Sequence, residues 1–172
     1  DPATAPRGRS LYAHLPKSHF GQSKFLHTME RQRLNRLGVP FLSWQNRWLR
    51  GYAMSLPTLN YLEHYGLIRE TGSPIDYRHS WDNSTMFTSW FFIEIGRQAD
   101  HHDRGETHFW ELDEVGAPNC GNGYFTLFAL ALIPPLFHKY MEKQLAKWDE
   151  EEASEGELKI AEKMNAQAGY SQ

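Results

Sequence analysis

The chain has one cysteine, Cys120, in 172 residues. That excludes an internal disulfide framework and suits a reducing or organellar compartment. It also lacks any run near the roughly 20 apolar residues that a membrane-crossing helix needs. The longest apolar stretch, Tyr124 to Phe137, is interrupted by Pro134-Pro135. It is expected to lie in a membrane interface, to re-enter partway or to pack against another protein, not to cross. Excess positive charge is missing too: the formal net charge is -3, so nucleic acid is not an expected partner. There is no Gly-rich phosphate loop, no Ser-His-Asp pattern and no internal repeat. The chain begins at Asp1 without methionine and is expected to be processed or a piece of a longer protein, with any targeting segment outside it.

What is present is aromatic and unevenly charged. Phe, Trp and Tyr make up 14% of the residues, which suits surfaces that meet a membrane or a partner. Between Lys17 and Arg50 the only acid is Glu30, whereas acids crowd the chain after Trp148. The fold is expected to be mostly α. Residues 1–20 read as an extended basic arm, 21–148 as a helical domain and 149–172 as an acidic C-terminal tail. Phe25, Leu26, Met29 and Leu34 recur at helical spacing, with Gly38 as the stop. A short basic helix with interleaved tryptophans is expected near Leu42 to Tyr52. Further helices are expected at Thr58 to Ile68, at His138 to Glu152 on a Met141, Leu145 and Trp148 stripe, and from Ser154 onward.

Metal-capable residues gather in two stretches. Met86 to His102 reads as one largely buried helix with no Pro and no Gly before Gly96. On it Glu94, Gln98, His101 and His102 share a face at i, i+4, i+7 and i+8. Asp82 or Asn83 is the expected N-cap. Asn60, Glu63 and His64 share a face of the earlier helix at i, i+3 and i+4. Polar groups on otherwise apolar helices need partners, because an unpaired buried one costs about 2–7 kcal/mol. Solvated or hydrogen-bonded histidines and half of a metal cage are both compatible with this pattern.

Asn60-Tyr-Leu-Glu-His-Tyr-Gly-Leu67, His79-Ser-Trp81 and Gly96-Arg-Gln-Ala-Asp-His-His102, in this order, resemble the motifs of the membrane alkane hydroxylase family. Gly123 to Phe137 resembles that family's closing segment, and Asp1 to Tyr12 the stretch after its second histidine box. The family's HExxH and EHxxGHH boxes do not occur here, and Gln98 stands where the family has a histidine.

The resemblance implies a shortened half domain in which His64, His101 and His102 fill metal-ligand positions. Glu63, His79 and Asp100 would stand behind them. Three histidines from one half do not complete a two-iron centre, so the expected function is a non-catalytic accessory subunit of a membrane complex. By analogy this would be a respiratory-chain complex of the mitochondrial inner membrane, with other subunits as partners and no cofactor. Its membrane contacts would run through Tyr124 to Phe137 and the basic aromatic segment. The alternative is the C-terminal half of a split di-iron alkane or fatty-acid ω-hydroxylase, with iron, whose other boxes lie on a partner chain.

Overall fold

Ser10 begins the longest helix. Its hydroxyl accepts the Ala13 N–H at 3.3 Å, and α1 (Leu11–Leu37) follows. The helix ends where the sequence predicts, because Gly38 adopts the left-handed conformation (φ 64°) that closes a C-terminus. The start differs from expectation. The arm is extended only to Ser10, whose side chain caps α1, and the helix runs on through Pro16. The computed structural model describes residues 5–40, 42–44, 46 and 57–167. The basic helix expected at Leu42 to Tyr52 lies largely outside the described residues.

The other helices are α2 (57–64), α3 (Met86–Phe92), α4 (Gln98–Asp103), α5 (Tyr124–Ala131), α6 (Pro134–Glu151) and α7 (Glu155–Gln167), with single 3-10 turns at Tyr77–His79 and Phe109–Glu111. Among the described residues there is no strand; Asp82 and Asn119 form an isolated bridge. The mostly α, hydroxylase-like fold expected from the sequence is the fold observed.

The stripe on α6 is buried as its spacing predicts: Phe137, Met141 and Trp148 are each 1% exposed and Leu145 4%. It packs on Tyr61, Tyr65 and Leu127 of the core. Burying each such side chain contributes about 1.5–3 kcal/mol. The arm is part of this core. Ala5 is fully buried, its carbonyl accepts the Gly66 N–H at 2.9 Å, and Arg7 pairs with Asp149 of α6.

Met86 to His102 is not one helix. Ile93 and Glu94 both take left-handed backbone (φ 55° and 58°), ending α3 and redirecting the chain before α4. Such conformations cost about 1–3 kcal/mol each outside glycine, so tertiary contacts must impose them. Gly96 supplies one. A Cβ there would sit 2.3 Å from the Asn83 carbonyl oxygen, and Gly96 O accepts the Asn83 N–H at 2.8 Å. Glu94 therefore leaves the helical face that carries Gln98, His101 and His102. The helix is also not buried on most sides: Met86 is 87% and Trp90 75% exposed. Phe87 and Phe91 of α3 pack against Phe125 of α5, tilted and edge to face, with ring centres 5.1 and 5.0 Å apart, which joins the two helices into one apolar surface.

Tyr124 to Phe137 divides into α5 and the start of α6, because Pro134 opens a new helix. No described helix is long and apolar enough to cross a membrane. The acidic C-terminal segment forms α7 and packs back onto the chain. Glu157 of α7 is 1% exposed and lies against Arg78 and His79.

Candidate metal centre

The chain after α2 is pinned back onto it. Trp81 N–H donates to Glu63 O at 2.8 Å, and the Trp81 indole donates to Tyr65 O at 2.9 Å. This brings the His79 carbonyl to the His64 ring, 3.2 Å from Nδ1. A carbonyl only accepts, so His64 Nδ1 carries the proton and Nε2 keeps its lone pair.

The segment after Trp81 positions α4. Asp82 is 4% exposed and accepts the Ala99 N–H at 2.9 Å. It therefore caps α4 from outside the helix, where the sequence suggests a cap for α3. Asn83 instead accepts the Thr85 N–H and O–H at 3.2 and 2.8 Å. Burial pushes the Asp82 carboxyl up to about 6, against the hydrogen bonds it accepts from Ala99 and Gln98.

With α4 so placed, the His64 and His102 rings meet edge to face at 5.3 Å between centres, and His101 lies 6.2 Å from His102. Among the described residues no three His, Cys, Asp or Glu side chains converge as a metal site. His102 Nε2 lies 3.0 Å from the Gln98 amide nitrogen, which donates to it. The Gln98 oxygen has no partner although the residue is only 5% exposed. A buried unpaired carbonyl oxygen calls for a donor or a cation. Burial lowers the pKa of His64, and lowers that of His102 to about 4 with help from its histidine neighbours. Both rings are thus neutral near pH 7, the form that ligates metal.

The three residues expected behind the ligands behave differently. His79 acts through its carbonyl, while its ring faces Glu157 at 2.9 Å. Asp100 turns to Arg104, 2.7 Å from its Nε, and accepts the Asp113 N–H at 2.8 Å, which staples the following loop. Glu63 is 1% exposed and meets the Tyr124 hydroxyl at 3.1 Å. Burial pushes its carboxyl up to about 8. Tyr124 also lines an apolar cleft of about 330 Å³ with Leu59, Leu62, Phe91, Phe92 and Phe128. Tyr124 thus links the buried Glu63 of α2 to the wall of this cleft. Sequence reading missed the parts played by Asp82, Tyr124 and Glu157. For Glu157 the available signal was Ser154-Glu-Gly-Glu157, a capping box.

Residues 37–131 match the family model described as fatty acid desaturase. The alkane 1-monooxygenase of Acinetobacter baylyi is 30% identical over 92% of this chain and 47% of its own length. The alkane 1-monooxygenase 2 of Pseudomonas aeruginosa is 29% identical over 84% of this chain and 48% of its own. The xylene/toluene monooxygenase hydroxylase component XylM of Pseudomonas putida is 29% identical over 99% of this chain and 54% of its own. The chain spans about half the length of these curated relatives.

Proposed function

Because this chain belongs to the fatty acid desaturase family, we propose that it is the C-terminal half of an alkane-hydroxylase-type monooxygenase. The likeness favours this alternative over an accessory subunit of a mitochondrial respiratory complex. The observation that carries it is the meeting of His64 and His102 at 5.3 Å, from separate helices, beside an unpaired buried Gln98 oxygen.

These residues fit a metal. The lone pair at Nε2 of His64 is free, both rings are neutral, and the Gln98 oxygen lacks a donor. His64, His102 and His101 would hold one side of the centre, with the remaining histidines supplied by sequence of the HExxH and EHxxGHH type. Iron held there would supply the oxygen-activating chemistry. The chain's own part is to bind, orient and exclude water. The His79 carbonyl fixes the His64 ring, Asp82 fixes α4, and the apolar cleft suits an alkyl chain. The exposed faces of α3 and α5 suit a membrane interface or an apolar partner.

The accessory-subunit reading keeps one observation of its own: the Gln98 amide occupies His102 Nε2, an atom that a metal would need. Co-expression with a chain carrying the two missing boxes separates the readings. The hydroxylase reading expects iron in proportion to the complex and a terminally hydroxylated product from a medium-chain alkane or fatty acid. Absence of both sinks it.

A further inference from the structure

We infer that Glu157, on the C-terminal helix, is a positioning residue for the candidate metal centre, acting on His64 through His79. This rests on the metal reading of His64, and its links are hydrogen bonds whose directions are forced by their partners. The Asp76 N–H donates to His79 Nδ1 at 3.0 Å, so that nitrogen is bare and the His79 proton sits on Nε2. Nε2–H donates to Glu157 at 2.9 Å. The His79 carbonyl, on the same residue, receives the His64 Nδ1–H. His79 is thus clamped at both ring nitrogens, and its backbone oxygen is held where it selects the His64 tautomer.

Glu157 is itself over-determined. One carboxylate oxygen lies 2.7 Å from Arg78 Nη1 and 2.9 Å from the Ser154 N–H; the other lies 3.2 Å from Arg78 Nη2. Ser154 Oγ accepts the Glu157 N–H at 3.1 Å, completing the capping box. Arg78 also donates to Glu152 O at 2.6 Å and accepts the Trp148 indole N–H at its own carbonyl at 2.7 Å. The turn at Tyr77–His79 is therefore held by α6 and α7 as well as by the helices that carry the histidines. A carboxylate supporting a histidine whose neighbour atom orients a ligand ring is a chain of outer contacts. Loss of such contacts weakens metal binding about 10- to 100-fold.

The test uses the full chain with 15N-labelled histidine at one fixed pH. Long-range 1H–15N spectra report the His64 tautomer without metal, and a Co(II) titration followed by visible absorption reports affinity. Wild type is expected to hold His64 as the Nδ1–H form. Glu157→Ala is expected to add the Nε2–H form and weaken Co(II) binding at least about 10-fold. Glu157→Gln keeps an oxygen for His79 and is expected to stay near wild type. If Glu157→Ala does not fold, His79→Phe is read in the same way.

Asn165→Ala loosens α7 elsewhere by removing the acceptor of the Arg7 N–H, and is expected to leave the tautomer alone. An unchanged tautomer in Glu157→Ala or His79→Phe overturns the inference, as does an equal change in Asn165→Ala. Failure of the complex co-expressed with a chain carrying the two missing boxes to hold metal overturns the metal reading, while the tautomer comparison in this chain still decides the role of Glu157.

Discussion

Asp82 caps a helix to which it does not belong. Its buried carboxylate accepts the Ala99 N–H at 2.9 Å, across 17 residues of chain. Removing an N-cap costs about 0.5–2 kcal/mol. Asp82→Ala is expected to lose stability of that order in urea unfolding, while Asp82→Asn, which keeps an acceptor, loses less. Equal stabilities of all three proteins would show that α4 holds itself.

Glu63 gives the protein a pH response of definite sign. Burial raises its carboxyl from 4.5 to about 8, so the folded state binds more protons than the unfolded state between those values. Stability present below pH 4.5 is therefore lost as pH rises toward 8. The buried histidines have lowered values and work the other way, but only below their ordinary 6.5. Asp82, raised to about 6, acts with the same sign mainly below that value, so Glu63 dominates from about 6.5 to 8, with a slope of up to about 1.4 kcal/mol per pH unit. Glu63→Gln is expected to flatten this slope in unfolding measured across pH.

Gln98 is the natural place to alter the centre. Gln98→His puts an imidazole where an amide now holds His102 Nε2. The expected result is tighter Co(II) binding by about 10-fold or more, since a neutral imidazole is a stronger donor to such metals than an amide oxygen. Unchanged affinity would mean that the ring of His102, and not the missing donor, limits binding.

The apolar faces of α3 and α5 predict surface behaviour. Trp90 is 75% exposed and Phe128 41%, so Trp90→Ser with Phe128→Ser should change folding stability by less than about 1 kcal/mol. The pair is expected to reduce binding to phosphatidylcholine vesicles in a sedimentation assay. Full retention on vesicles would assign this surface to something other than lipid.

The sequence made some of this legible and hid the rest for physical reasons. The end of α1 at Gly38 and the α6 stripe were readable because local rules determine them. The bend at Ile93 and Glu94 was not, because neither residue favours left-handed backbone and the cause lies at Asn83, brought close by Gly96. His64 and His102 could be paired only through the motif resemblance, since no periodicity connects α2 with α4. Charge counting does not separate Glu157 from its acidic neighbours. Only its place three residues after Ser154 marked it as different, and its partners Arg78 and His79 come from far along the chain.

The left-handed pair at Ile93 and Glu94 works as a joint between two materials. On one side α3 presents exposed rings; on the other α4 is keyed by Asp82. A straight helix would oblige both ends to rotate together, so that every change in the greasy half would swing the histidines. With the joint, the shape of the cleft wall can be retuned at Phe91 or Phe92 while the imidazoles keep their aim.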